Sequence, residues 1–187
     1  MNTDARLYQD LEGILYSREQ INEAVCRIGK RITEDYEGRE PVMVGILKGA
    51  SIFFADLIRE IDLPLSIDFM ALSSYGNATR SSGVVRILKD LDRDIVDKDV
   101  LIVEDIVDSG LTLSHLQEVL ATRGANSIRV AALLNKKLSD QSRKKLVPDY
   151  CCFEVPDKFV VGYGLDYAQK YRNLPDIGIL ARRIYEK

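Results

Sequence analysis

Apolar and polar positions along this chain alternate in two rhythms. From Ser17 onward, Ile21, Val25, Ile28 and Ile32 return every three or four residues, the spacing of one helix face. SREQ supplies the start of that helix as a capping box, with Ser17 as N-cap and Gln20 three residues inside, and Gly38 can stop the chain beyond it. The next run, PVMVGIL (Pro41–Leu47), is short, continuous and apolar, as in a strand buried on both faces. It ends in Lys48-Gly49-Ala50, after which Ser51 is placed to cap a second helix, SIFFADLIRE. LSIDFMAL (Leu65–Leu72) and VVRIL (Val84–Leu88) read as strands joined by SSYGNATRSSG (Ser73–Gly83), a long, small, polar loop.

The same alternation continues with VLIVEDI (Val100–Ile106) as a strand and LTLSHLQEVLATR (Leu111–Arg123) as a helix stopped at Gly124. SIRVAALL (Ser127–Leu134) follows as a strand. Toward the C-terminus, Tyr150–Phe153, Lys158–Tyr163 and Ile177–Leu180 are short β candidates. Strands buried on both faces and alternating with helices indicate an α/β fold, a mainly parallel central sheet flanked by helices. In such sheets ligands bind beyond the carboxyl ends of the strands, which puts Lys48-Gly49 and Glu104–Thr112 on one rim.

Composition narrows the partners rather than the fold. A chain of 187 residues, 46% apolar and 29% charged, is expected to form one domain with a sizeable core. The net charge of −3 gives no bulk attraction to nucleic acid or anionic membrane, and nothing approaches a run of ~20 apolar residues. MNTDARLYQD has the pattern of neither a signal peptide nor a basic transit segment. Cys26 and the neighbours Cys151 and Cys152 make a poor disulfide framework and lack zinc-ligand spacing, so reduced thiols in a cytoplasmic protein are expected. His115 is the single histidine, on a predicted helix beyond the strand end, which leaves little room for a Ser–His–Asp triad.

The chemistry concentrates in VLIVEDIVDSGLT (Val100–Thr112). In DSGLT, Gly110 can adopt a conformation closed to other residues, so that several backbone N–H groups and the start of the next helix converge on one concavity. Ser109 and Thr112 can add hydroxyl hydrogen bonds. The result is a phosphate cradle, although it matches neither GxxxxGK[ST] nor GxGxxG. An ordinary strand-to-helix turn with Asp108 as N-cap accounts for DSG equally well. The adjacent Glu104 and Asp105 tilt the balance, because neighbouring carboxylates repel each other and are seldom there for stability. They can accept hydrogen bonds from a sugar diol or hold a divalent cation. A cradle beside a diol clamp describes a ribose 5-phosphate site.

The thirteen residues from Val100 to Thr112 resemble the phosphoribosyl pyrophosphate motif of the type I phosphoribosyltransferases: four apolar residues, two acids, two apolar residues, then D-S/T-G-x-T. ILKGASIFFADL, the SSYG loop, Lys136 and PDKFVVGYGLDYAQKYRNLP (Pro156–Pro175) narrow the resemblance to the hypoxanthine-guanine phosphoribosyltransferases, over about residues 10 to 183. The resemblance implies the type I fold, with a small hood formed by N- and C-terminal segments (about 150–187) and a flexible loop at about 73–83. It also implies transfer of the 5-phosphoribosyl group to hypoxanthine or guanine, with xanthine a third candidate, giving nucleotide and pyrophosphate in purine salvage.

By the resemblance, Asp108, Ser109, Gly110, Leu111 and Thr112 hold the 5-phosphate, and Glu104 and Asp105 take the ribose hydroxyls. Asp108 doubles as the catalytic acceptor beside N7 of the purine. Lys48, Gly49 and Arg172 hold pyrophosphate, the Lys48-Gly49 loop being one where relatives can carry a non-proline cis peptide. Ile106, Lys136, Phe159, Val160, Leu165 and Asp166 surround the purine: Lys136 facing its 6-oxygen, Phe159 stacking on it, Val160 reading its pyrimidine edge. Asp166, with Glu104 and Asp105, is implied to hold Mg2+. Ser74 and Tyr75 would sit at the tip of a lid that keeps water out. The substrates implied are phosphoribosyl pyrophosphate and a 6-oxopurine, with no nucleic acid and no membrane, in a dimer or tetramer. Two other readings use the same motif. One is a regulatory protein of this fold that binds RNA or DNA, which would carry a basic face; the other is a nucleotide-binding signalling domain without transferase activity.

Overall fold

The structure, a computed structural model, describes residues 6–74, 85–137 and 146–186. A strand, β1 (Leu11–Tyr16), precedes helix α1 (Arg18–Asp35), and the hydrophobic rhythm of the sequence passes over it. Helix α1 begins as expected. Gln20 N donates to Ser17 Oγ, and Ser17 N donates back to Gln20 Oε1 at 2.9 Å, completing the capping box. Ile21, Val25, Ile28 and Ile32 are all buried. Strand β2 (Val42–Leu47) leads into α2 (Ser51–Arg59). Ser51 is the first residue of that helix rather than its cap. Ala50 N already donates to Ile46 O and Ser51 N to Lys48 O, so winding begins one residue earlier than the serine suggests.

Strands β3 (Ser66–Ser74) and β4 (Val85–Lys89) form an antiparallel pair. Ser73 and Ser74 therefore belong to a strand, opposite Arg86 and Val85, and not to the loop assigned to them from their polarity. Strand β5 (Asp99–Val107), helix α3 (Leu111–Thr122), β6 (Ser127–Lys136) and β7 (Tyr150–Val155) follow. The chain then forms β8 (Val160–Val161), β9 (Ile177–Leu180) and α4 (Arg182–Tyr185). The strand expected over Lys158–Tyr163 shrinks to two residues because Gly162, Tyr163 and Gly164 all take positive φ, which ends the extended chain.

The main sheet has the order β4-β3-β2-β5-β6-β7, parallel from β3 to β7 with β4 antiparallel at one edge. Strand β5 shows why the sequence reads as continuously apolar. Leu101 and Val103 pack into the layer with α1 and α2, whereas Val100 and Ile102 pack against Leu113, Leu116 and Leu120 of α3. Burying each such side chain contributes about 1.5–3 kcal/mol. At the β7 edge, Arg27 donates to Cys152 O and Tyr16 to Glu154 O, so side chains occupy backbone acceptors that could pair with another strand. From β2 the chain moves outward to β3, and from β5 it moves the other way through β6 to β7. The gap between the ends of β2 and β5 is thus the topological switch point, where parallel sheets place their ligands.

A second sheet, β1-β9-β8, is antiparallel and is built from both ends of the chain. Its C-terminal strands come only after β7, so the segment from residue 150 expected in the hood is divided: Tyr150–Val155 belongs to the main sheet. Asp176, almost fully buried, ties this sheet to α1. Its Oδ2 accepts from Tyr8 Oη at 2.5 Å and its Oδ1 from Arg18 N at 2.8 Å. Removing the carboxylate leaves two donors without their acceptor. Asp176→Ala is expected to destabilise the protein by about 2–3 kcal/mol, a fall in Tm of roughly 5–10 °C by calorimetry. Asp176→Asn, which keeps an acceptor, is expected to lose less; equal losses would show that burial of volume, and not these hydrogen bonds, holds the junction.

Candidate active site on the rim between β2 and β5

The phosphate-like turn forms where β5 passes into α3. The helix N-cap is Gly110, at φ 80 and ψ 4, with no side-chain cap, whereas Asp108 stands two residues earlier with its side chain 62% exposed. The N-cap role open to Asp108 in the sequence is therefore not taken. Gly110 is required twice over, by its left-handed backbone and because a Cβ there would lie 2.7 Å from Leu146 Cβ. The first N–H groups of α3 are left facing a concavity of about 260 Å³ lined by Glu104 to Leu113, with Ser109 Oγ 3.4 Å from Leu111 N. His115 sits on α3 half-exposed, 3.8 Å from Glu118, and lines neither of the rim cavities.

Glu104 and Asp105 lie within β5, each keeping some accessible surface yet crowded by protein atoms. Desolvation, and then the charge of Asp105, pushes the Glu104 carboxyl well above the ordinary carboxylate range. Desolvation also raises Asp105, opposed by its hydrogen bonds and by the nearby Arg172 guanidinium. The two acids take local donors: Asp105 N donates to Glu104 Oε1 at 3.1 Å and Ile106 N to Asp105 Oδ1 at 2.7 Å. Such a pair favours arriving donors or positive charge.

Two further loops close on Asp105. The cis peptide of the short loop after β2 joins Leu47 to Lys48, one bond before the Lys48-Gly49 pair to which the sequence pointed. A Cβ on Gly49 would overlap Asp105 Oδ2, and a Cβ on Gly164 would overlap Gly49 O. Three segments therefore meet backbone to carboxylate and backbone to backbone. Arg172 fixes the third: its Nη1 donates to Gly164 O at 2.7 Å and its Nη2 lies 2.8 Å from Asp166 Oδ1. Gln169 N donates to Asp166 Oδ2 at 2.8 Å. Among the described residues, no three of His, Cys, Asp and Glu gather into a cluster that could hold a metal ion by itself.

A second concavity, about 230 Å³, adjoins the first and shares Asp105, Ile106 and Asp108 with it. Lys136, Lys158, Phe159, Val160, Leu165 and Asp166 complete its lining. Lys136 leaves the end of β6 with Nζ 3.1 Å from Asp157 Oδ1 and 4.0 Å from Asp108 Oδ2, while Lys137 points to Glu154 in the open. Phe159 is 37% exposed, unusual for its size; Val160 and Leu165 are buried. Sequence reasoning missed Asp157, Lys158 and Gly164, all within a segment read for its apolar residues. Ser74 closes β3, and Tyr75 lies outside the described residues. A larger cavity of about 1040 Å³ between α1, α2 and residues 173–175 contains none of the predicted site residues, and its mixed Arg, Lys, Asp and Glu side chains converge on no common point of chemistry.

Comparison with known proteins agrees with this geometry. The family described as "Phosphoribosyl transferase domain" matches residues 14–168. A hypoxanthine-guanine phosphoribosyltransferase of Bacillus subtilis is 51% identical over 95% of this chain and 97% of its own. One from Streptococcus pyogenes is 45% identical over 97% and 99%. The crystal structure of a hypoxanthine phosphoribosyltransferase from Staphylococcus aureus superposes with a TM-score of 0.93 at 45% identity, covering 100% of both chains.

The raised Glu104 carboxyl has a consequence for stability. A folded-state pKa above the unfolded value means the folded protein binds the proton more tightly, so its contribution is complete below the ordinary glutamate value and is lost as pH rises toward the raised one. Glu104→Gln removes that loss. The ligand-free variant is expected to melt several degrees above the parent at about pH 8, with the gap closing toward about pH 5. A gap that is the same at both pH values would refute the electrostatic origin.

Proposed function

Since the chain belongs to the phosphoribosyl transferase domain family, we propose that its rim holds a phosphoribosyl donor and a 6-oxopurine side by side. The protein is a purine-salvage phosphoribosyltransferase that transfers the 5-phosphoribosyl group from phosphoribosyl pyrophosphate to hypoxanthine or guanine, releasing pyrophosphate. The observation that carries the assignment of residues is the common wall of the two concavities. Asp105, Ile106 and Asp108 line both, so a donor seated in one presents its C1 to a base seated in the other.

In this reading the 5-phosphate takes the N–H groups and hydroxyls of Ser109–Thr112, and Glu104 and Asp105 accept from the ribose hydroxyls. The pyrophosphate lies toward Lys48-Gly49 and Arg172. As the C1–oxygen bond to pyrophosphate breaks, its electron pair leaves with that oxygen and a purine nitrogen forms the new bond to C1. Asp108 accepts the imidazole proton at N7, and its hydrogen bond strengthens as that proton leaves. Lys136 donates to the 6-oxygen. Adenine offers an amino donor at that position, leaving two donors opposed, which is the arrangement a polar site rejects most strongly. Phe159 stacks on one side of the base and Ile106 lies on the other.

The residues fit Mg2+ brought in with the donor. A desolvated acid pair gains from positive charge, and the lack of a three-acid cluster among the described residues suits an ion that takes most of its ligands from substrate phosphates and water. Glu104, Asp105 and Asp166 would hold it, and when bound it neutralises charge on the departing pyrophosphate. The same reading has residues 1–187 acting as one transferase domain with a lid at Ser74 and Tyr75, in a cytoplasmic dimer or tetramer. Among the described residues no helix is long and apolar enough to cross a membrane.

Nucleotide formation measured with the donor and Mg2+ is expected with hypoxanthine and guanine, and at least ~10²-fold weaker in kcat/KM with adenine. Asp108→Asn is expected to lower kcat by about 10²-fold or more, with a smaller change in KM for the donor. A variant with near-parental kcat would remove Asp108 from the proton transfer. Tight donor binding without turnover on any base would instead favour the regulatory reading.

A further inference from the structure

A single phenylalanine beside a loop makes a poor stacking platform unless something fixes the plane of its ring. Phe159 immediately precedes the two-residue strand β8, and its backbone carbonyl accepts from Leu180 N at 2.9 Å. Two tyrosines hold its side chain. Tyr185 of α4 stacks on it at 5.0 Å between centroids and 28° between planes. Tyr167 meets it edge-on at 5.5 Å and 89°, and the two tyrosines are 6.5 Å apart. These spacings fall within the favourable range for offset and edge-to-face aromatic pairs.

The placement of the cavities says which side of Phe159 is covered. The concavity assigned to the base contains Phe159, Ile106 and Lys136 but not Tyr185. An adjoining hollow shares Phe159, Lys136 and Lys158 with it and adds Ile179, Arg182 and Tyr185. Tyr185 stacks on the ring and lines only this second hollow, so it backs Phe159 from outside the concavity assigned to the base. Helix α4 is itself tied down, with Ala181 N donating to Asp10 O at 2.9 Å and Arg183 Nη2 to Gln9 O at 2.5 Å. The C-terminus is thus fastened to the N-terminal segment at the point where it delivers this ring.

We propose that Tyr185, supported by Tyr167, is a positioning residue for the purine: it pre-sets Phe159 so that the arriving base completes a three-ring stack, base on Phe159 on Tyr185. The inference rests on the assignment of Phe159 as the base platform. An unbuttressed Phe159 would have to be immobilised by the base itself, and that ordering cost falls on base affinity while leaving donor binding and the chemical step untouched.

The test is steady-state kinetics with hypoxanthine and phosphoribosyl pyrophosphate on the full chain, with thermal melts alongside. Tyr185→Ala is expected to raise KM for the base by about 10-fold, with kcat and donor KM within about 2-fold. Tyr185→Phe, which keeps the ring, is expected to restore base KM. Should Tyr185→Ala fold poorly, Tyr185→Leu fills the hollow without a ring and is expected to give the same increase. A base KM unchanged in Tyr185→Leu and raised in Phe159→Ala overturns the positioning role and leaves the platform standing. A base KM unchanged in Phe159→Ala overturns the platform itself. Parallel losses in kcat, donor KM and base KM would assign Tyr185 to general support of the hood and overturn the proposal.

Discussion

The rim depends on a contact in which side chains are missing. Gly49 presents bare backbone to the Asp105 carboxylate, and Gly164 presents bare backbone to the Gly49 carbonyl. Any Cβ at either position would push apart the end of β2, the middle acids of β5 and the turn before Asp166. With both glycines in place, the loop after β2, the acids of β5 and the turn before Asp166 converge without a connecting side chain. Arg172 then works as a bracket: one face of its guanidinium fork holds the Gly164 carbonyl and the Asp166 carboxylate, and its charge opposes the desolvation of Asp105. The packing that makes so close an approach tolerable lies below, in the doubly covered strands β2 and β5.

The cations of the site share a design. Lys136 has Asp157 behind it and Asp108 before it, and Arg172 has Asp166 beside it. A long cationic side chain loses considerable freedom when it meets a substrate, and a carboxylate that already holds it reduces that loss. The same pairing limits the net positive field of the rim, in a chain that carries −3 overall.

How much of this could be read beforehand follows from the range of the interactions. The α1 capping box, the α/β order, the common rim and the cradle were legible because each is decided within about ten residues: a cap, a continuous apolar run, a glycine at a turn. Three details were decided elsewhere. Asp108 yields the cap to Gly110 because that glycine lies against Leu146, 36 residues away in a segment of no obvious pattern (110 to 146). Strand β1 escaped because its short, glycine-interrupted LEGILY lacks a clean alternation and gains its partner only from β9 near the other end of the chain. Lys158–Tyr163 promised a longer strand because no propensity reveals that Tyr163 turns left-handed, its ring buried and its hydroxyl donating to Asp56 at 2.5 Å. The resemblance to a known family pointed to the short loop after β2 as one where a cis peptide can occur, and the structure has it at Leu47–Lys48; it passed over Asp157 and Gly164, which help to hold that region together.

The acid pair of β5 is electrostatically costly by construction. The acids at Glu104 and Asp105 are desolvated, and the N–H groups opening α3 have no intrahelical acceptors. A sequence selected for stability alone would not keep that acid pair. In the proposed reading acids and N–H groups are both answered by one molecule, whose phosphate accepts from the cradle and whose ribose hydroxyls donate to the acids, so that the cost of keeping the acids is offset on binding. The proposed base site follows the opposite rule. Its platform is already stacked, its lysine already paired, and its walls at Val160 and Leu165 already buried before any base arrives. A donor that supplies missing charge and hydrogen bonds, beside a base that enters a finished slot, is the division expected where one substrate is an anion of high charge and the other a flat, neutral ring.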